Sequence, residues 1–219
     1  MDPVFVTGGT GYVGRPLIEA LLARSHIVHA LARPESARKL PPVVRPVIGD
    51  ALDSDTFASA IPPAATFVHL IGTPHPNPSK AEEFRRVDLA SIHASVTAAR
   101  HAGVRHFVYV SVAHPAPIMQ AYIAVRQEGE ALIRSSGIRA TILRPWYILG
   151  PGHRWPYRLL PVYALLRSIP ETRAGAERLG LVTRGAMIAT LVRAVEEPPA
   201  ERVRILGVPD IRRLSGEVG

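Results

Sequence analysis

Short apolar runs rich in β-branched residues alternate with longer amphipathic segments through most of this chain. Such alternation is typical of βαβ units that build a parallel sheet. The pattern predicts six strands, at 3–7, 26–32, 43–48, 65–71, 105–111 and 138–144. It predicts helices at 12–24, 54–60, 79–102, 118–136, 155–168 and 184–197. We therefore expect an α/β fold, a Rossmann-like doubly wound parallel sheet in three α/β/α layers.

Composition narrows the picture to one large domain. The chain has 219 residues, 47% of them hydrophobic, which is enough for a two-sided core. It has no cysteine, so disulfides, thiolate metal sites and cysteine nucleophiles are excluded. The spacing of the histidines matches no zinc pattern, and we predict no metal site. The start of the chain does not resemble a secretory signal, and a cytoplasmic location without membrane attachment is expected.

The net charge of +8 raises the question of a nucleic-acid or acidic membrane partner. The basic residues are nearly all arginines, with only Lys39 and Lys80 as lysines, and they are scattered along the chain without a dense run. A basic balance alone is weak evidence of such a partner. We therefore expect neither nucleic acid nor membrane as a partner.

The stretch VTGGTGYVGR at 6–15 places glycines between a predicted strand and a predicted helix. This is the context of a dinucleotide-binding turn, in which missing side chains let the backbone approach a pyrophosphate and helix amides face the anion. A purely structural turn is the alternative. The residues expected to contact a dinucleotide here are Gly8, Thr10, Gly11, Tyr12, Val13 and Gly14.

The end of the second predicted strand bears on the choice of dinucleotide. It carries Arg33, with Glu35 two residues later and no aspartate. An arginine there favours the 2′-phosphate of NADP, whereas a carboxylate favours NAD. We expect NADP(H) to be preferred, with NAD(H) as the alternative if Arg33 is only an exposed arginine. Asp50, followed by Ala51, is placed either to accept a hydrogen bond from adenine or to form a turn or helix cap with Asp53.

A set of segments in fixed order resembles the atypical and extended short-chain dehydrogenase/reductase superfamily. It is similar to NmrA-like NAD(P)-binding proteins and to relatives of the complex I accessory subunit that binds NADPH. The segments are TGGTGYVG, VIGD (47–50), VHLIGT (68–73), VDLASIHASVTAARHAGVRHFVYVS (87–111), YIAVRQEGEALIRSSGIRATILRP (122–145) and LGPG (149–152). The resemblance implies an NAD(P)-binding Rossmann domain over 1–152. It leaves 153–219 as a small substrate-side cap with terminal elements packed on the same domain.

The resemblance also implies roles for individual residues. Tyr122 falls on the catalytic tyrosine, and Arg126 takes the place of the usual lysine four residues later. Residues four apart share a helix face, so the Arg126 cation can lie near the phenol and near a ribose, although arginine cannot release a proton as lysine can. Further cofactor contacts are implied for Ile71, Gly72, Thr73, Pro145, Trp146 and Tyr147.

The expected catalytic serine position departs from the family pattern. Ser111 stands alone where a serine pair or triplet is common. His114 is either a replacement donor or an exposed loop histidine. His153 and Trp155 are candidate substrate residues, because that segment borders the cleft in the family. The alternative for Trp155 is an amphipathic cap over the core.

The family's catalytic triad of serine, tyrosine and lysine is thus eroded here, at the lysine and serine positions. The leading interpretation is an NADP(H)-binding oxidoreductase, or an epimerase/dehydratase-like enzyme. It would act on a small carbonyl, alcohol or enone-like substrate as a monomer or homodimer. The alternative is a non-catalytic NAD(P)-binding regulatory or assembly protein.

Overall fold

Seven parallel strands form the main sheet in the described part of the chain. The structure is a computed structural model, and it describes residues 2–151, 166 and 168–216. The strands are β1 Val4–Thr7, β2 Val28–Ala32, β3 Arg45–Ile48, β4 Thr66–His69, β5 His106–Val110, β6 Arg139–Arg144 and β9 Val203–Gly207. Their order in the sheet is β3-β2-β1-β4-β5-β6-β9. Two further short strands, β7 Tyr147–Leu149 and β8 Leu181–Thr183, pair with each other in parallel.

Helices cover both faces of this sheet. They are α1 Gly14–Ala23, α2 Pro34–Ala37, α3 Ala81–Glu83, α4 Ala90–His101, α5 Gln120–Ser136, α6 Pro170–Arg178, α7 Arg184–Glu196 and α8 Val208–Leu214. Single 3₁₀ turns lie at Ser54–Thr56, Ala58–Ala60 and Pro78–Lys80, and a π-helical segment at Phe84–Leu89 joins α3 to α4.

Two hydrophobic layers separate the sheet from its helices. On one face Leu17 and Leu21 of α1 and Leu191 of α7 are fully buried. On the other face the rings of Phe67 and Phe107 stack with centroids 4.9 Å apart, beneath helices α4 and α5. Burial on both faces is what a doubly wound parallel sheet requires. The predicted fold class is therefore confirmed.

The predicted helix at 54–60 is wrong, because two 3₁₀ turns take its place. The hydroxyl of Thr56 donates to the backbone oxygen of Asp53 at 2.7 Å, and the side chain of Asp53 accepts from the amide of Asp55. Such local side-chain bonds compete with helix formation. The segment is also too short for an α-helix to form without strong packing.

The predicted helix at 79–102 contains an irregularity that the sequence did not indicate. A 3₁₀ turn precedes α3, and the π-helical segment follows it. Within that segment the buried residues are Phe84 and Asp88. Single π-helical turns occur frequently at functional sites. This one places a carboxylate on the inward face of the helix.

Strand β9 was missed by the sequence analysis. It lies at the edge of the sheet and pairs with β6 through the Leu143–Leu206 register position, among others. Arg204 interrupts its apolar residues, and of the adjacent Ile205 and Leu206 only Leu206 is buried. The predicted helix at 155–168 lies almost entirely outside the described residues. The carboxyl ends of the parallel strands form the edge where ligands bind in such sheets.

Candidate active site

The turn between β1 and α1 is packed so closely that only glycine fits at two of its positions. Gly8 has φ +74°, and its carbonyl oxygen accepts a hydrogen bond from the amide of Gly11 at 3.0 Å. A Cβ atom at Gly14 would overlap with that same carbonyl oxygen. Gly9, which the sequence analysis did not select, is less restricted, because a Cβ there would meet only the end of the Ile18 side chain, at 2.7 Å.

Helix α1 begins directly in this turn and is suited to an anion. No side chain caps its amino end, and its first turn contains no acidic residue. The backbone amides and the helix dipole therefore favour a negatively charged group there. Thr10, Tyr12 and Val13 lie in the turn, and the guanidinium of Arg184 lies 5.0 Å from the centre of the Tyr12 ring. This cradle, formed by the turn from Gly8 to Gly14 and the amino end of α1, fits a dinucleotide pyrophosphate.

The predicted nucleotide residues after β2 and β3 are exposed. Arg33 follows β2 directly, and its Nε lies 3.1 Å from an oxygen of Glu35. The Asp50 carboxylate accepts from the amide of Leu52 at 3.0 Å, so Asp50 forms a turn. Ala51 is half-buried beside it. The predicted contacts of Arg33 and Asp50 with a nucleotide stay predictions.

The segment after β4 is fixed to the helix that follows it by Asp88. The backbone amide and the hydroxyl of Thr73 both donate to Asp88 Oδ2, at 2.9 and 2.6 Å. The Asp88 side chain is fully buried. A Cβ atom at Gly72 would overlap with a terminal nitrogen of Arg126, so the guanidinium packs directly against the Gly72 backbone.

Arg126 is buried and held by three acceptors. Its Nη2 donates to Asp88 Oδ1 at 2.5 Å, and its Nη1 donates to the backbone oxygens of Val110 at 3.0 Å and Ile71 at 3.4 Å. Burial acts to lower the pKa of Arg126, but the oxygens of Tyr122, Tyr109 and Asp88 outweigh it and hold the pKa above its ordinary value. The guanidinium therefore remains a permanent cation.

Tyr122 lies beside this cation, as the spacing of the two residues predicts. The guanidinium carbon of Arg126 is 5.0 Å from the centre of the Tyr122 ring, and the Phe84 ring is 4.9 Å away on another side. The half-buried Tyr122 also packs against an apolar cluster. That cluster consists of Val112, Ala116 and Ile123, with Trp146 and Leu179 packed against it.

Ser111 does not face this group but a second buried carboxylate. Its hydroxyl donates to Glu130 Oε1 at 2.7 Å. Glu130 also accepts from Arg144 Nε at 2.8 Å and from Arg134 Nη2 at 2.9 Å. Burial would raise the pKa of Glu130, but the hydrogen bonds from Arg144 and Ser111 outweigh burial and hold the pKa below its ordinary value. A carboxylate only accepts, so the single hydroxyl proton of Ser111 is committed to Glu130.

The remaining predicted residues are His114, Pro145, Tyr147, His153 and Trp155. His114 Nε2 is 3.6 Å from Glu130 Oε1, and burial, together with Arg144, lowers the pKa of His114. The backbone oxygen of Pro145 accepts from the Ala113 amide at 2.9 Å, and Tyr147 begins β7. His153 and Trp155 lie outside the described residues.

Sequence reasoning missed the two carboxylates that hold the site together. Asp88 lies between Phe84 and Ile92 at four-residue spacing, and all three are buried. Glu130 likewise precedes the buried Ile133 on α5. An acidic residue on the apolar face of a predicted helix is rarely buried without a partner, and this is the signal that would have identified both.

The comparisons with known proteins agree with this geometry. A family model for NAD(P)H-binding proteins matches residues 8–162. A 3-diazoavenalumate denitrifying reductase from Streptomyces sp. is 32% identical over 176 residues, which are 68% of this chain and 57% of that protein. A ceramide reductase from Caulobacter vibrioides is 32% identical over 158 residues, which are 68% of this chain and 47% of that protein. The chain thus spans about half the length of these curated relatives.

Solved structures show the same fold. The enzyme WbmH of Bordetella bronchiseptica in complex with NAD⁺ has a TM-score of 0.70 at 20% identity, covering 99% of this chain and 79% of that one. A short-chain dehydrogenase/reductase superfamily protein from Agrobacterium tumefaciens with bound NAD has a TM-score of 0.69 at 20% identity, covering 98% of this chain and 83% of that one. No helix among the described residues is both long and apolar enough to cross a bilayer. The chain therefore belongs to the NAD(P)H-binding family whose model it matches over most of its length.

Proposed function

We propose that this chain is an NADP(H)-dependent oxidoreductase that reduces a small carbonyl or enone-like substrate, with Tyr122 as the proton donor. The observation that carries the proposal is the contact between the Tyr122 ring and the fixed Arg126 cation, 5.0 Å from ring centre to guanidinium carbon. This pair lies beside the segment that follows β4, at the carboxyl end of the sheet, where the glycine turn also lies. When bound, the dinucleotide supplies a hydride to the substrate carbon.

The protein's own residues supply binding and the proton. The turn from Gly8 to Gly14 holds the pyrophosphate on backbone amides. Arg33, at the end of β2, supports a preference for the 2′-phosphate. Tyr122 gives its proton to the substrate oxygen as the carbon is reduced. Ser111 is not available for this role, because its proton is committed to Glu130.

The wall beside Tyr122 favours an apolar substrate. Val112 is buried next to the ring, and Trp146 and Leu179 pack on the same cluster. An apolar wall excludes water from the reacting group. Relatives named as reductases support the reaction class, and one of them is named for a lipid, ceramide.

A second candidate function is supported by the way the polar groups are paired. Arg126 is held by Asp88, and Ser111 is held by Glu130. Both groups are thus occupied by carboxylates of the chain itself. A protein that binds the dinucleotide without turning over a substrate, and so regulates or stabilises an assembly, would tolerate this arrangement.

Calorimetric titration with NADPH and NADH tests the cofactor preference. We expect NADPH to bind more tightly, and Arg33→Ala to weaken NADPH binding about tenfold while leaving NADH binding unchanged, because only NADPH carries the 2′-phosphate. Arg193→Ala is the matched control, since Arg193 is also exposed and paired with a glutamate, on α7. Equal or tighter binding of NADH would overturn the NADP preference.

Oxidation of NADPH in the presence of aldehydes, quinones and enones tests the activity. We expect Tyr122→Phe to lower turnover by about 10² or more, because the proton donor is lost, while NADPH affinity changes by less than about threefold. NADPH binding without any Tyr122-dependent turnover would support the second candidate instead. Absence of binding by either nucleotide would refute both.

A further inference from the structure

Asp88 occupies a central place in the buried polar group behind Tyr122. One of its carboxylate oxygens accepts from Arg126 and the other accepts twice from Thr73. It comes from the π-helical segment, whereas Arg126 comes from α5 and Thr73 from the segment after β4. Asp88 is fully buried. A carboxylate in such a place needs a cationic partner, and Arg126 is that partner.

The charge around Tyr122 depends on this pair. From β5, the hydroxyl-bearing Tyr109 faces Arg126, and burial raises the pKa of Tyr109 to about 12, so it is neutral. From β4, His69 is neutral as well, because burial and then Arg126 lower its pKa to about 3. The ion pair of Lys80 with Glu83 lies on the turn and helix that precede the π-helical segment.

Further along α5, Glu130 is paired with Arg144 and Arg134 rather than with Arg126. Among the described residues, Asp88 is the carboxylate that forms an ion pair with Arg126.

An uncompensated cation beside a phenol favours the ionised phenolate, and a compensated one does so much less. A phenolate accepts a proton, whereas a neutral phenol donates one. We propose that Asp88 is a positioning residue that fixes the Arg126 guanidinium beside Tyr122 and offsets its charge, so that replacing Asp88 changes how readily the Tyr122 hydroxyl gives up its proton. The inference rests on the role proposed for Tyr122 as proton donor.

The ionisation of Tyr122 can be followed directly by near-ultraviolet absorbance during a pH titration of the cofactor-free protein. Subtracting the titration of the matching Tyr122→Phe variant isolates the signal of Tyr122. Asp88→Asn keeps the size of the side chain and an oxygen for Thr73, but removes the charge. We expect Asp88→Asn to lower the midpoint of Tyr122 ionisation by about one pH unit or more, and Asp88→Glu to restore it.

Glu196→Gln provides the matched control. Glu196 is also a carboxylate paired with an arginine, Arg24, but it lies at the end of α7, away from the site. Its substitution should leave the midpoint for Tyr122 unchanged. An unchanged midpoint in Asp88→Asn, or an equal shift in Glu196→Gln, would overturn the inference.

Removal of the cation tests the same idea when Asp88→Asn does not fold. Arg126→Gln should raise the midpoint of Tyr122 ionisation, because Asp88 then acts alone on the phenol. Adding Asp88→Asn to that variant leaves no buried charge in the pair and should lower the midpoint again. A midpoint that does not respond to Arg126→Gln would refute the charge coupling.

The titration separates this inference from the proposed oxidoreductase function, because it needs neither NADPH nor a substrate. If Asp88→Asn shifts the midpoint but no substrate gives turnover, the oxidoreductase proposal fails and the role of Asp88 as regulator of Tyr122 ionisation holds. If turnover occurs and the midpoint does not move, the inference about Asp88 fails and the oxidoreductase proposal holds. With turnover, the alkaline limb of the pH–rate profile should move to lower pH in Asp88→Asn.

Discussion

Buried carboxylates at single positions determine how the polar groups near the strand ends are arranged. Glu130 has 1% of its side chain exposed and accepts hydrogen bonds from Ser111, Arg144 and Arg134. Taking a carboxylate out of water is unfavourable unless paired cations and donors surround it. Removal of the carboxylate therefore leaves the positive charges of Arg144 and Arg134 without the negative charge that offsets them in the wild-type protein.

We predict that Glu130→Gln lowers the free energy of unfolding by about 3 kcal/mol at neutral pH, since it breaks a buried ion pair. The pKa of Glu130 is held below the ordinary value of 4.5, so its stabilising contribution is fully present above that value. The contribution is lost as pH falls through the lowered pKa of the folded state. Urea unfolding at pH 7 and at steps below pH 4.5 should show the difference from wild type shrinking as the medium becomes acidic.

The matched control for this change is Glu19→Gln. Glu19 pairs with Arg15 on the surface of α1, with 54% of its side chain exposed. Exposed pairs contribute about 0–1 kcal/mol, so this variant should unfold nearly like wild type. A loss as large as that of Glu130→Gln, or a Glu130→Gln effect that grows in acid, would contradict the prediction.

At the scale of elements, the close contact between the end of β1 and the start of α1 is the feature most sensitive to a single methyl group. Gly14→Ala would force its Cβ against the Gly8 carbonyl oxygen, so the helix must shift away from the strand. We predict a loss of about 1–3 kcal/mol in the free energy of unfolding. We also expect at least a tenfold loss in NADPH affinity, both measured on the purified variant by urea unfolding and calorimetry.

Gly175→Ala is the control for this substitution. Gly175 lies within α6, and a Cβ there would meet only the end of the Arg178 side chain, at 3.9 Å. Alanine is the better helix former by about 1 kcal/mol, so this variant should be as stable as wild type or more so. Unchanged NADPH affinity in Gly14→Ala would rule out the turn as the pyrophosphate site.

Six of the seven strands were predictable because each lies in a short run rich in apolar and β-branched residues, and this includes β3 at the other edge of the sheet. Strand β9 was missed because VRILG is short and Arg204 interrupts its apolar residues, of which only Leu206 is buried. The contact between Tyr122 and Arg126 was predictable because both lie on one helix. The contacts of Asp88 with Arg126 and of Glu130 with Ser111 join separate elements, and they depend on how helices dock rather than on local spacing.

At the scale of the whole molecule, ligand binding and folding are linked. A dinucleotide that binds the folded chain but not the unfolded chain adds about 2.7 kcal/mol to the free energy of unfolding at a concentration of 100 times its Kd. For a chain of this size, that corresponds to a rise of about 5–11 °C in Tm. Thermal unfolding of the wild-type protein with and without NADPH should show this rise.

The Gly14→Ala variant at the same NADPH concentration serves as the reference for this measurement. Its Tm should rise much less, because its cradle is distorted. A rise of equal size in both proteins would indicate that NADPH binds elsewhere on the molecule.

Strand β9 lies about 60 residues after β6, its neighbour in the sheet, and this affects how the chain folds while it is synthesised on the ribosome. Strands β1 to β6 are synthesised first, so β6 has an open side until residues 203–207 emerge. Ala140, Ile142 and Leu143 of β6 are apolar and buried in the finished fold, so the unpaired edge of β6 would also expose apolar side chains. Chains that stop before Val203 should therefore associate with one another or with chaperones instead of folding.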